Sequence, residues 1–193
     1  MRHFVYFSST ARTSGNFDIN DLMKSGRMDI AIHVIINAFF LSHKLRDDVK
    51  LHLVFYGMPD PPKHIEISVK PETSLSKKDV ANMIKKILYK YKIGQKTEVL
   101  PGCFIEKKSF QKVINELAEE GKEIFIMDKK GENIRNAKIP EESVFIIGDH
   151  NGLPKKEFKR LKEISEIISV GPAVYFASQV VTIINNELDL RGF

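Results

Sequence analysis

A single cysteine, Cys103, is present among 193 residues. The chain therefore forms no internal disulfide and no multi-cysteine zinc cluster, which fits a reducing compartment. Long apolar runs are also lacking. The longest, Ile30 to Leu41, is broken by His33 and Asn37, whereas a bilayer span needs roughly 20 apolar residues. The N-terminus opens on a strand-like run rather than a secretory leader, so the expectation is a cytoplasmic protein with no membrane contact. There is no internal repeat and no low-complexity linker. The six histidines are scattered without an HxxxH pattern, and CxxC is absent, so no metal is expected. Hydrophobic residues at 42% and charged residues at 28% exclude disorder and fibre as descriptions of the whole. The length allows a buried core without staples and points to one domain, 1–193.

Thirty Lys+Arg against 25 Asp+Glu give a net charge of +5. That excess permits an anionic partner without requiring one. Its distribution says more. Lys77 to Lys96 holds seven lysines (77, 78, 85, 86, 90, 92, 96) and one acid, Asp79, a local charge of +6.

Apolar periodicity gives the elements. His3–Ser8 and Leu51–Tyr56 are short apolar runs and read as strands, and Ile65, Ile67 and Val69 alternate as a half-buried strand does. Gly57 to Pro62 must leave the sheet, because proline cannot continue a ladder. Ser9–Asp29 reads as a long loop with one short helix near Asp21. Ile30–Leu41 has a wide helical apolar face. Ser76 with Asp79 resembles a capping box, opening a helix whose apolar stripe is Val80, Met83, Ile84, Ile87, Leu88 and Tyr91, with lysines on its outer face. Phe110, Val113, Ile114 and Leu117 mark another helix, stopped at Gly121. Glu123–Met127, Val144–Ile147 and Ile164–Val170 read as buried strands. Lys155–Lys162 reads as a short basic helix and Ala173–Leu188 as a closing helix apolar almost all round. Strands alternating with helices predict an α/β fold with a largely parallel sheet.

The last three strands each run into a Gly- or Asp-bearing turn: Met127-Asp128, then Gly148-Asp149-His150-Asn151-Gly152-Leu153-Pro154, then Val170-Gly171-Pro172-Ala173. Any one of these is simply a turn. Together, at the carboxyl ends of neighbouring strands, they predict one ligand pocket. No Gly-Lys-Ser/Thr and no GxGxxG follows, which argues against simple nucleoside-triphosphate or dinucleotide binding.

Ile146 to Pro154 resembles the G-x-x-x-G-L segment of the SPOUT methyltransferases, and Ile168-Ser169-Val170-Gly171-Pro172 resembles their third cofactor loop. Three N-terminal blocks narrow the match: Ser25-Gly26-Arg27-Met28-Asp29, then Leu41-Ser42-His43 with Arg46-Asp47-Asp48, then His52 to Pro62. These are similar to the archaeal tRNA (pseudouridine-54) N1-methyltransferases, relatives of the rRNA pseudouridine N1-methyltransferases. The resemblance spans nearly the whole chain. It implies a SPOUT-type fold, a C-terminal trefoil knot over about 122–193, S-adenosyl-L-methionine as cofactor, tRNA as substrate and a homodimer. In this family a cysteine often stands in the last helix near the cofactor. Here Ala177-Ser178-Gln179 occupies that region and Cys103 lies far upstream.

On that resemblance, the cofactor residues are Met127, Gly148, Gly152, Leu153, Ser169, Val170, Ala173 and Ser178. Backbone groups would hydrogen-bond adenine and apolar side chains cover its faces. For Met127, Leu153 and Val170, ordinary core packing competes evenly. Ser178 could equally bond its own helix. Asp60, in a Pro-rich loop directly after a strand, is the candidate acceptor for the N1 proton of pseudouridine. A turn aspartate is the plain alternative, and His64 and His150 rank below. Arg12, Arg27, Lys78, Lys85 and Lys86 are the RNA candidates, since arginine forks and lysines both suit phosphates. An Arg27–Asp29 pair and a merely solvated lysine face are the competing explanations. Two other functions remain open from the sequence: the same chemistry on rRNA, and an RNA-binding module without catalysis.

Overall fold

The structure, a computed structural model, describes residues 1–70, 76 and 78–193. Its strands are β1 (Arg2–Ser8), β2 (Val49–Phe55), β3 (Lys63–Ser68), β4 (Thr97–Leu100), β5 (Cys103–Glu106), β6 (Glu123–Asn133), β7 (Ser143–Ile147) and β8 (Glu166–Ser169). They form one eight-stranded sheet in the order β4-β5-β3-β2-β1-β7-β6-β8. The run β2-β1-β7-β6-β8 is parallel, while β3, β5 and β4 add antiparallel. The expected α/β architecture with a mostly parallel sheet is what is found.

Alternation along β1 sorts side chains to two cores. Phe4 and Tyr6 join the helices α1 (Met28–Phe39), α2 (Val80–Tyr89) and α5 (Ala177–Leu190) on one face. Val5 and Phe7 join α3 (Phe110–Glu119) and α4 (Lys155–Leu161) on the other. The central strands are buried on both faces, so they read as continuous apolar runs. Chain ends meet through the buried Arg2, whose guanidinium donates to Asn185 Oδ1 (3.1 Å), Asp189 Oδ1 (2.6 Å) and the Phe193 carbonyl (2.7 Å).

Several expectations are corrected. No helix forms near Asp21; the segment 9–27 is turns, because its own bonds close short loops such as Ser25 N to the Leu22 carbonyl. It is stitched to the loop after β2, where Thr13 Oγ1 donates to the Gly57 carbonyl (2.8 Å) and accepts from Asp60 N (2.9 Å). Gly26 and Gly57 permit this approach, since a Cβ on either would fall 1.8 or 2.2 Å from the Thr10 carbonyl oxygen. Asp79, not Ser76, is the N-cap of α2, and its side chain makes no capping bond. Lys77 lies outside the described residues. The hairpin β4–β5 was not read from the sequence. Strand β6 continues to Asn133 past an irregularity, because Glu132 and Asn133 pair with β8 through backbone alone. Helix α5 begins at Ala177 rather than Ala173; the chain bends at Pro172 and Ala173 and stays non-helical to Phe176, whose backbone is extended.

A buried polar ladder crosses β1, β2, β3 and β5. His3 Nδ1 lies 3.4 Å from His52 Nε2, His52 Nδ1 lies 3.0 Å from His64 Nε2, and His64 Nδ1 lies 3.0 Å from Glu106 Oε1. Proton bookkeeping fixes it. Glu106, whose carboxyl is held down to about 2 by hydrogen bonds from His64 and Lys108 despite burial, is an acceptor only. His64 Nδ1 therefore donates. Burial favours the neutral rings of His3 and His52, and in the same sense their Nδ1–H groups face the next Nε2 along the ladder. Glu66 comes close to His52 and His64, with ligand-type atoms all within 4.8 Å, but its carboxylate is taken by Lys96 (3.0 Å) and Lys50 (3.7 Å).

Candidate cofactor and RNA site

The carboxyl ends of β6 and β7 and the approach to α5 enclose a cavity of about 640 Å³. A second, of about 280 Å³, adjoins it and shares Met127, Asp128, Val174, Tyr175 and Val180. The size suits a drug-sized ligand. Seven of the eight expected cofactor residues line the pair: Met127, Gly148, Gly152 and Leu153 the larger, Met127, Ser169, Val170 and Ala173 the smaller. The three loops do converge. Ser178 is the exception. Because α5 starts late, it falls in the first turn, lines neither cavity, and its carbonyl accepts from Thr182 Oγ1 (3.1 Å).

Local geometry explains the glycines. A Cβ on Gly148 would meet Gly152 C at 2.6 Å and Leu153 N at 2.8 Å. Gly152 sits at φ 74°, where its N–H donates to the Asp149 carbonyl (2.8 Å). The loop is thus folded on itself, with backbone toward the cavity. Ser169 Oγ is satisfied locally by Gly171, accepting from its N–H and donating to its carbonyl, both at 3.2 Å.

Asp149 was not singled out in the sequence, yet it organises the site. It lines the larger cavity and is buried. Its Oδ1 accepts from Asn151 N (2.8 Å); its Oδ2 accepts from Ser9 N and Ser9 Oγ (both 2.8 Å) and Ser8 Oγ (3.4 Å). Those donors belong to the end of β1 and the loop after it. Ser9 in turn lines a third cleft, about 470 Å³, with Thr10, Arg12, Lys24, Gly26, Tyr56, Gly57 and Met58. Ser9 and Asp149 are therefore the seam between cofactor cavity and N-terminal cleft. An aspartate in a strand-end loop was the only available signal. Ile30, Asp128, Tyr175 and Phe176 also line the larger cavity and were likewise missed.

Asp60 lines none of these cavities. Lys63, itself buried, donates to its Oδ2 and to its carbonyl, both at 2.6 Å, and Lys107 binds its Oδ1. Bonds from Lys107 and Lys63 hold its carboxyl below the usual range. That makes a weak proton acceptor and a firm anchor for the loop. His64 is committed to the ladder, whereas His150 lines the larger cavity. Cys103 is buried in the core, which pushes its thiol up to about 11.

The RNA candidates separate. Arg12 lines the N-terminal cleft. Arg27, at φ 61°, forks onto Asp29 with two bonds of 3.0 Å. Lys85 donates to the Phe17 carbonyl (2.6 Å), tying α2 to the long loop. Lys78 and Lys86 are exposed.

With this geometry in place, the likenesses to known proteins are specific. A family model described as "Putative SAM-dependent RNA methyltransferase" matches residues 1–193. The tRNA (pseudouridine(54)-N(1))-methyltransferase of Methanococcoides burtonii is 36% identical over 98% of this chain and 96% of its own length. The one from Methanocaldococcus jannaschii is 35% identical over 99% and 98%. A bacterial relative from Alcanivorax borkumensis, named "Putative pseudouridine methyltransferase", is 34% identical over the full length of both. Among solved structures, Nep1 of Archaeoglobus fulgidus bound to S-adenosylhomocysteine has a TM-score of 0.66 over 100% of this chain and 99% of that one, at 13% identity, a likeness of fold.

Proposed function

The chain belongs to the SAM-dependent RNA methyltransferase family that its whole length matches, and from that premise we propose that the joined cavity holds S-adenosyl-L-methionine beside the target base. The protein is an S-adenosylmethionine-dependent tRNA methyltransferase acting on N1 of pseudouridine 54. The observation that carries this is the convergence of seven expected residues on one cavity at the carboxyl ends of β6, β7 and β8. The residues fit the cofactor: Gly148 gives a cradle that a Cβ would fill, and Met127, Leu153, Val170 and Val180 supply apolar walls.

When bound, the cofactor supplies an electrophilic methyl group on a sulfonium. Pseudouridine N1 takes the methyl, the S–CH₃ bonding pair stays on sulfur, and the N1 proton departs. The nucleophile belongs to the substrate, so the protein's work is alignment. The cleft bordered by Arg12, Gly26, Gly57 and Met58 receives the flipped nucleotide. The Ser9–Asp149 seam fixes that cleft against the cofactor loops. Asp60 positions the 57–62 loop through Lys63 and Lys107 and is the candidate proton acceptor on that loop; Asp149 and His150 are the candidates that line the cavity.

The homodimer belongs to this proposal. Most of the apolar surplus expected of α5 is used internally: Val180, Val181, Ile184 and Leu188 are buried. Val174 and Phe176 are not; they stand 80% and 74% exposed on the cavity wall. A second subunit covering them would complete the pocket. A C-terminal trefoil knot belongs to the same proposal, on the strength of the family resemblance; α5 follows the β8 edge and packs on α1. Among the described residues no helix is long and apolar enough to cross a membrane, which is compatible with the cytoplasmic location proposed. The test is transfer of labelled methyl to tRNA carrying pseudouridine or uridine at position 54. Label should enter the first and not the second; equal labelling of both would reject the assignment.

A further inference from the structure

Among the described residues, the cavity is bordered by cations that no acid neutralises. Lys129, from the irregular part of β6, lines the smaller cavity, and Lys155, from α4, lines the larger. Next to these two in sequence, or one turn along α4, Lys130, Lys156 and Lys159 are exposed. Among the described residues none of these five lysines has a carboxylate within ion-pair distance; on α4 only Arg160 reaches one, Glu157 at 3.7 Å. What sets Lys129 and Lys155 apart is their place on the cavity walls; Arg12, on the N-terminal cleft, is likewise in no ion pair among the described residues, whereas other cations around the site are held. Lys24 pairs with Asp21, Arg27 with Asp29, and Lys63 and Lys107 with Asp60.

The +6 segment on α2 is the rival surface. It is less well placed. Lys85 is tied to Phe17, Lys96 to Glu66, and no residue of α2 lines any of the three cavities. Helix α2 packs toward β4 and β5, at the opposite end of the sheet from β6 and β8.

We propose that the mouth of the cofactor cavity is the RNA-backbone platform, with Lys130, Lys156 and Lys159 contacting phosphates that flank the target nucleotide. The proposal rests on the methyltransferase function above. Unpaired ammonium groups at the edge of a reaction cavity give attraction and register without reading sequence. They also concentrate a polyanion where the methyl group is delivered.

The experiment is tRNA binding by anisotropy across a potassium chloride series, with saturating S-adenosylhomocysteine. It compares wild type, the triple variant Lys130→Gln, Lys156→Gln, Lys159→Gln, and an α2 triple variant Lys78→Gln, Lys86→Gln, Lys90→Gln. Removing one lysine–phosphate interaction flattens the log–log salt slope by roughly 0.7–0.9. The cavity-mouth variant should flatten by roughly two units, raise KM for tRNA and keep its affinity for S-adenosylhomocysteine. The α2 variant should keep the wild-type slope. A wild-type slope in the cavity-mouth variant, in a protein that still methylates tRNA, overturns the platform and leaves the activity standing. Wild-type protein with no affinity for tRNA overturns both.

Discussion

Mild acid should lower the stability of the fold through the histidine ladder before it protonates the ordinary surface carboxylates. Burial lowers the His3 ring from its usual 6.5 to about 4, helped by Lys122 and Lys50 and opposed by Glu142 and Glu120. His52 is lowered well below the same usual value by burial, helped by His64, His3, Lys50 and Lys96. Both rings are neutral in the fold, while the unfolded chain takes up protons below about 6.5. The unfolded state then holds more protons, so stability falls as pH drops. For His3 the loss starts near pH 6.5 and ends near 4. The total is between about 3 and 4 kcal/mol, the span from 6.5 to about 4 at roughly 1.4 kcal/mol per pH unit. His52 adds to it in the same direction. The assay is urea unfolding at half-unit steps from pH 7 to 4.5, for wild type and His3→Gln. Glutamine's amide can replace the Nδ1–H donor but does not titrate. Near pH 5.3 the variant should lose stability less steeply, by up to about 1.4 kcal/mol per pH unit. Parallel stability profiles for the two proteins would refute the neutral ladder.

Three other outcomes follow from the site. Gly148→Val puts a branched side chain where Gly152 backbone already stands, so calorimetry should find S-adenosylhomocysteine affinity abolished in a folded protein. Asp149→Asn removes charge from a group that accepts four hydrogen bonds; thermal denaturation should show a loss of about 2 kcal/mol, in the range for one charged hydrogen bond, with weaker cofactor binding. Asp60→Asn should raise KM for tRNA through its loosened loop, with cofactor affinity unchanged. A fall in kcat alone at saturating tRNA would instead make Asp60 the proton acceptor.

The parallel half of the sheet was legible because its strands are short, apolar and bounded by Gly, Asp and Pro. The cofactor loops were legible for the same reason: three strand ends with permissive turns are visible in one dimension. The β4–β5 hairpin carried a signal too, Pro101-Gly102 between Thr97–Leu100 and Cys103–Glu106, with Gly102 at φ 76° as a Pro-Gly turn requires. The β6 extension left no trace, since Asp128 to Asn133 carries no apolar side chain and only Glu132 and Asn133 of it pair with β8. Nor could the ladder be seen. His3, His52, His64 and Glu106 are brought together by sheet order alone, and scattered histidines in sequence resemble no motif. The late start of α5 shows why Ser178 was misplaced: apolar residues before Ala177 face the cavity or solvent rather than a helix interior. Charge density was no guide to place. The densest lysine segment lies on and around α2, of which no residue lines a cavity, while Lys129 and Lys155 reach the cavity walls only through the folded chain.

The central claim is methylation at one atom of one nucleotide, and mass spectrometry of nuclease-digested tRNA measures it directly. After incubation of pseudouridine-54 tRNA with the protein and S-adenosylmethionine labelled at the methyl carbon, the T-loop fragment should gain one labelled methyl on a C-glycosidic nucleoside that co-elutes with N1-methylpseudouridine. Label on another nucleotide, or on none while the protein binds S-adenosylhomocysteine, would contradict the account.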